Sequence, residues 1–181
     1  PMATYGGQNV GAGRLDRIGR GMKDCVILGA LYAVGAFIVL FLFSDTIALL
    51  FVDAGEEEIL ANARRFLLTN SAMYFPLALV NIVRFMIQGL GFSKLAIVAG
   101  VCEMAARSLV GFCLVPVFGY AGACLANPAA WIAADLFLIP AYFHVMKCLR
   151  KRMPQAAQAK EDMAAKEESR RKGRKAAHAM G

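Results

Sequence analysis

The stretch CVILGALYAVGAFIVLFLF, residues 25–43, holds 19 consecutive residues without a charged side chain. At a rise of 1.5 Å per residue, an α-helix of this length covers about 28 Å, which is close to the thickness of the hydrocarbon core of a bilayer. No small-x-small cleavage site separates the stretch from Ser44 and Asp45, so a signal peptide does not explain it. The stretch therefore predicts a transmembrane helix.

Three further apolar runs follow this first one along the chain. They are apolar on all sides, whereas the helices of a soluble bundle carry polar stripes at helical spacing. Each run is long enough to cross a bilayer with some tilt or with a kink. The sequence thus predicts an all-α membrane protein with four transmembrane helices, at about 25–46, 66–90, 95–118 and 121–146.

The charged residues are distributed unevenly over the 181 residues, of which 59% are hydrophobic and 18% charged. Residues 1–146 carry nine basic and nine acidic side chains, and residues 147–181 carry eleven basic and four acidic ones, so the net charge of +7 belongs to the tail. A soluble enzyme and a nucleic-acid-binding protein are poor explanations of this pattern, because soluble domains have about a quarter of their residues charged. We predict a Gly-rich cytoplasmic loop at 1–24, a membrane segment at 25–146 and a basic cytoplasmic tail at 147–181.

Basic residues in the short connections predict the orientation of the spans. Four precede the first span and eleven follow the last, against two in the first connection and none in the third. This bias predicts a multi-pass protein of the cell membrane with both ends in the cytoplasm. The basic cluster at 170–175 could rest on anionic lipid headgroups, or the tail could be a solvated helix or disordered.

Charged residues inside the spans are candidates for function, because a charge at the bilayer centre costs at least about 2.5–3.5 kcal/mol. Glu103 and Arg107 are four residues apart, which places them on one helix face in the order that favours an ion pair. Counted from the span ends, Arg107 and Asp135 both lie near the midplane, so we expect a network of Glu103, Arg107 and Asp135. The network could couple transport to a cation, or it could be a structural pair that locks two spans together.

Polar residues in the second span suggest a face that does not meet lipid. Asn70, Tyr74 and Asn81 are spaced by four and seven residues, so that one helical stripe can hold all three. The stripe could line a pocket for amphiphilic aromatic cations, or it could serve helix packing. Arg84 is a further cavity candidate, although it lies close enough to the cytoplasmic end to extend its side chain toward that surface.

Prolines interrupt three of the apolar runs, at Pro76, Pro116 and Pro140. Each removes one backbone donor, which neighbouring groups or water must compensate in lipid.

Motifs for enzymes, cofactors and metals are missing from the sequence. The chain has two histidines, His144 and His178, and its five cysteines form no C-x-x-C pair. We therefore predict no enzyme activity, no cofactor and no metal site.

Five short motifs follow one another in an order that resembles the multidrug and toxic compound extrusion (MATE) transporters. Residues 8–13, QNVGAG, look like the Q-x-x-G-A-G signature of that family, and Glu103 to Arg107 is similar to the E-x-x-x-R of many bacterial members. Residues 118–122, FGYAG, look like its F-G-x-x-G stretch. The motif positions outside the charged pair and this stretch are Gln8, Gly11, Ala12, Gly13, Gly89, Gly91, Pro128 and Trp131.

The resemblance implies that the four spans are helices nine to twelve of a twelve-helix exporter, whose N-terminal helices are missing from the sequence. It implies an antiporter in a bacterial cell membrane that exports organic cations or drugs in exchange for H⁺ or Na⁺. Two lobes would rock about a central cavity. In the family, coupling carboxylates lie on the first and seventh helices, which would fall outside this chain. Some branches add an acid on the tenth helix, and this chain has none between Phe66 and Phe92.

Two other classes of function stay open at this point. The chain could be a self-standing four-helix multidrug carrier that acts as an oligomer, or a membrane scaffold that works through its basic tail without transport.

Overall fold

A computed structural model of the chain describes the backbone of residues 1–53 and 55–179 and the side chains of residues 1–53 and 55–154. The described residues are almost entirely helical, with one π-helical segment and no strand among them. In chain order the helices are α1 (Met2–Gly11), α2 (Leu15–Leu49), α3 (Glu57–Ser71), α4 (Tyr74–Gly89), α5 (Ser93–Leu109), the π-helix (Val110–Leu114), α6 (Val115–Phe118), α7 (Tyr120–Cys124) and α8 (Ala126–Ala179).

Three stretches of helix are long and apolar enough to cross a membrane: Leu15–Leu49, Ser93–Phe118 and Tyr120–Pro154. The pair formed by α3 and α4 passes the same criterion as one broken span, with a bend of 49° between its two helices. The predicted all-α membrane fold is thereby confirmed, with four spans when the broken pair is counted as one. Some observed helices extend beyond the predicted apolar runs: α2 begins at Leu15 and α3 at Glu57, both in polar sequence. Hydrophobicity alone indicates the apolar part of such a helix and not its polar ends.

Proline explains the irregular points of the second and third spans. Pro76 is the third residue of α4, and its missing N–H would have bonded the carbonyl of Ala72, which lies in the break between α3 and α4. Pro116 is the second residue of α6, two residues after the end of the π-helix at Leu114. By contrast, α8 runs through Pro140 without an interruption. Of the three prolines within the apolar runs, two therefore lie close to a change of helix geometry.

The predicted Gly-rich loop at residues 1–24 is wrong, because this segment is helical apart from a short turn around Gly13, where φ is +73°. Two of its glycines, Gly6 and Gly7, pack against α4. A Cβ built on Gly6 would lie 2.9 Å from the Sδ atom of Met86, and one built on Gly89 would overlap the backbone of Ala3. The glycines thus let α1 and α4 approach closely, where larger residues would hold them apart.

The chain divides into two compact units, Pro1–Phe143 and His144–Gly181. In the first unit, α4 packs against α1, α2 and α5, and α2 also packs against α3. The buried side chains of this unit include Ile18, Met86 and Ile87. The second unit is the C-terminal part of α8. The tail is helical to Ala179, and the side chains of the basic cluster at 170–175, predicted to meet lipid headgroups, lie outside the described residues.

Candidate functional site

A cluster of three charged residues lies between α4 and α5. Glu103 on α5 is the acceptor for both arginines: Arg84 on α4 pairs with its Oε1, and Arg107, one turn further along α5, approaches its Oε2 to 3.4 Å. The Glu103 side chain is only 12% exposed and that of Arg84 22%. One buried carboxylate therefore faces two guanidinium groups, and the cluster carries a net charge of +1.

The sequence suggested that the side chain of Arg84 extends toward the near end of its span. In the structure it instead points inward, to Glu103. Arg84 lies five residues before the end of α4, and Glu103 lies ten residues after the start of α5. In this antiparallel hairpin the guanidinium must reach about 8 Å deeper to meet the carboxylate. The ion pair with Glu103 stabilises the arginine in that inward position. A count of residues from the span end could not predict this partner.

Asp135 does not join the predicted network with Glu103 and Arg107. It forms no ion pair within 4.0 Å among the described side chains. The guanidinium of Arg107 instead donates to the side-chain oxygen of Asn127 on α8 at 3.3 Å, eight residues before Asp135. Eight helical residues correspond to about 12 Å, so Arg107 and Asp135 lie at different depths. The expectation of equal depth was wrong, because a count of residues from the span ends does not include the shift of neighbouring helices along one another.

Asp135 is nevertheless buried, with 8% of its surface exposed. Its Oδ1 atom is enclosed and has no hydrogen-bond partner in the part of the chain that the structure describes. The carboxylates of Glu103 and Asp135 thus differ: Glu103 is compensated by two cations, whereas one oxygen of Asp135 has no donor among the described residues.

The polar residues predicted as one stripe lie on two helices that the break separates. Asn70 ends up buried on α3, where its amide group donates to the carbonyl of Phe66 at 2.9 Å. Asn81 is exposed on α4 and donates to its own helix, at the carbonyl of Leu77. Tyr74, the first residue of α4, packs its ring beside that of Trp131 on α8, with 6.5 Å between the ring centroids.

Asn127 is a member of the site that the sequence analysis did not single out. Its amide nitrogen donates to the Oδ1 atom of Asn70 at 3.2 Å, and its oxygen accepts from Arg107. It thereby connects α3, α5 and α8. Its position in an apolar segment, directly before Pro128, could have indicated this role, because an amide side chain in such a segment needs polar partners.

The MatE family model matches residues 2–114, which is more than half of the chain. The chain belongs to the MatE family. Neither the search of curated proteins nor the search of solved structures returned a match.

MatE membership confirms the resemblance drawn from the motifs and makes the chain a membrane protein of a transporter family, which is not a family of enzymes. The matched range runs from α1 to the end of the π-helix, so it contains the Glu103 cluster. Asn127, Trp131 and Asp135 lie beyond it.

The motif glycines of this MatE chain have distinct structural roles. Gly91 adopts a φ of +89° in the turn between α4 and α5, a conformation that residues with a side chain rarely adopt. Gly89 meets α1 as described above, and Gly11 has open space where a Cβ would stand. Pro128 and Trp131 are buried near the start of α8, whereas Gln8 and Ala12 are exposed.

A cavity of about 230 Å³ lies beside the break in the second span of this MatE chain. It is formed by α2 and the residues around the break, and its lining consists of Ala33, Val34, Phe37, Ser71, Ala72 and Phe75. The four residues predicted to line a cavity, Asn70, Tyr74, Asn81 and Arg84, are not part of this lining. Among the residues with described positions, no group of three His, Cys, Asp or Glu could hold a metal ion.

Proposed function

We propose that this MatE chain takes part in secondary active export of organic cations or drugs, in exchange for H⁺ or Na⁺ entering the cell. In this proposal the four spans work with further helices of a longer transporter in the cell membrane, and the C-terminal tail lies in the cytoplasm. Family membership supports transport itself, and the geometry around the second span supports the class of substrate.

The discontinuous second span is the observation that carries the proposal. Substrate and ion sites of secondary transporters typically form at broken helices, because interrupted backbone at that depth must line a cavity or be buried in protein. Here the break between Ser71 and Tyr74 lies beside an apolar cavity. It also lies next to the amide pair of Asn70 and Asn127. Asn70 and Tyr74, together with the cavity residues Ser71 and Phe75, thus lie within one helical turn of the break.

The ring pair of Tyr74 and Trp131 suits a planar organic cation. A cation over the face of an aromatic ring is attracted by the ring quadrupole, by about 2 kcal/mol where the site is desolvated. Trp131 is 7% exposed, so its ring lies in a largely desolvated setting. The neighbouring apolar cavity, lined in part by Phe37 and Phe75, can take up hydrophobic parts of the same ligand.

Ethidium efflux from cells that produce the complete transporter tests the proposal. We expect Tyr74→Ala to weaken ethidium affinity about tenfold or more, because a desolvated cation–π contact of about 2 kcal/mol is lost. Tyr74→Phe keeps the ring and should retain efflux. The matched control is Tyr32→Ala on α2, since that side chain is 75% exposed. Equal efflux by the Tyr74→Ala and Tyr32→Ala variants would argue against a substrate site at the break.

A further inference from the structure

Glu103 and Asp135 differ in whether other side chains compensate their negative charge. Glu103 has two arginine partners, so its negative charge is compensated in place and it has little tendency to bind a further cation. Asp135 is buried to a similar degree, and its Oδ1 atom is enclosed without a donor among the described residues. A carboxylate that is buried without compensation is costly and takes up a cation instead.

The surroundings of Asp135 indicate which cation suits it. The buried residues within about one turn of it on α8 are Trp131, Ala134 and Leu138, which offer no side-chain oxygen. Asn127, Trp131 and their partners show that this part of α8 contacts α3, α4 and α5.

Most charged groups of these three elements have partners of their own or lie at a helix end. In the spans, Arg84 and Arg107 pair with Glu103, and on α3 Arg64 pairs with Asp45. The remaining titratable groups of these elements, together with the next one on α8, are Glu57, Glu58, Arg65, Tyr74, Lys94, Cys102 and Tyr142. A sodium ion needs several oxygen ligands, whereas a proton needs one, so this apolar setting favours a proton.

Asp135 is also close to the aromatic pair at the break. Trp131 precedes it by four residues, which places the two side chains on the same helix face about 6 Å apart along the axis. Trp131 packs beside Tyr74. A cation at the ring pair would therefore lie within one helical turn of the Asp135 carboxyl group.

We propose that Asp135 carries the coupling proton of this transporter, and that an organic cation at the Tyr74–Trp131 pair displaces it. The inference rests on the proposed function for its substrate. One proton leaves the carboxyl group as one monovalent cation binds, so the charge of the site is the same in both loaded states. Proton and substrate thus exclude one another, which is the requirement for exchange.

The pH dependence of ethidium binding to the purified complete transporter tests the exchange. With one proton displaced, we expect the wild-type affinity to rise about tenfold per pH unit over the range in which Asp135 titrates. Asp135→Asn should bind ethidium with an affinity independent of pH, and replacing choline chloride by sodium chloride should change neither protein. Asp45→Asn is the matched control, because Asp45 is an exposed aspartate at the end of α2. An unchanged pH slope in Asp135→Asn, or sodium displacing the dye from the wild type, would overturn the inference.

A second measurement needs no variant and no transport. Dicyclohexylcarbodiimide reacts with protonated carboxyl groups in apolar surroundings, and peptide mass spectrometry locates the adduct. We expect modification of Asp135, protection by ethidium, and no modification of Asp45. Absence of the Asp135 adduct at neutral pH would contradict a bound proton. If the adduct forms but the wild type neither binds nor moves ethidium, the proposed function fails while the proton site stands.

Discussion

At the scale of single residues, Glu103 and Asp135 of this MatE protein differ in whether neighbouring side chains compensate their negative charge. The pair of Glu103 and Arg107 was predictable, because a spacing of four residues sets their proximity on any regular helix. The partnership of Arg84 with Glu103 and the separate position of Asp135 were not predictable. Both depend on how far neighbouring helices are shifted along one another, and a single sequence does not contain that shift.

The Glu103 cluster leads to a prediction about stability. Glu103→Ala should lower the free energy of unfolding by about 3 kcal/mol, the lower end of the range for buried ion pairs, because it leaves the mostly buried Arg84 without its anion. Arg107→Ala should have a smaller effect, since Glu103 keeps Arg84. Thermal unfolding of the detergent-solubilised protein measures both, with the exposed Glu58→Ala as the control. If Arg107→Ala proves as damaging as Glu103→Ala, the Arg84 pair is not the dominant one.

At the scale of the helices, prolines and glycines determine where the spans bend and how closely they pack. Pro76 was predicted to remove a backbone donor from the second span, and the structure places a break of 49° within one helical turn before it. The same prediction for Pro140 gave no break. The sequence therefore indicates where a helix can break, while the packing of neighbouring helices decides whether it does.

Replacing Pro76 should reduce the bend. In the Pro76→Ala variant, the restored backbone N–H at position 76 can bond the carbonyl of Ala72, so that α3 and α4 approach one continuous helix. Spin labels at positions 58 and 88 should then move from about 41 Å apart at a 49° bend toward about 45 Å in a straight helix. Electron–electron resonance measures this distance, and Pro140→Ala is the control because α8 is already continuous. A distance that stays the same in Pro76→Ala would assign the break to tertiary packing.

The contact between α1 and α4 leads to another prediction. Gly89→Ala should destabilise the protein by about 1–3 kcal/mol, because its Cβ would overlap the backbone of Ala3. Gly100→Ala on α5 is the matched control, since nothing lies within 4 Å of its built Cβ and alanine favours a helix by about 0.5–1 kcal/mol. Chemical unfolding of both variants gives the comparison. Equal stability of the two would show that α1 does not pack on α4 as closely as described.

At the scale of the whole molecule, the fold class followed from the sequence because four long apolar runs allow few alternatives in a membrane. The candidate site followed only in part. Tyr74 and Asn70 were named from their spacing, but their partners Trp131 and Asn127 come from α8, more than fifty residues further along the chain. The site is formed by contacts between different spans, and the sequence could not predict these contacts.

The orientation of the molecule is open to a direct test. The positive-inside rule predicts that the connection before α3 lies outside the cell and the turn between α4 and α5 inside. After replacement of the native cysteines, Glu57→Cys should react with an impermeant maleimide on intact cells, and Lys94→Cys only after permeabilisation. The reverse pattern of labelling would place the C-terminal tail outside the cytoplasm.

The most direct test of cation exchange is ethidium transport by the complete transporter in proteoliposomes under an imposed pH gradient. We predict that the gradient drives ethidium against its own concentration difference, that protons move in the opposite direction, and that Asp135→Asn abolishes the driven movement while Asp45→Asn does not. Ethidium that only equilibrates across the membrane, or driven transport that Asp135→Asn leaves intact, would contradict exchange at Asp135.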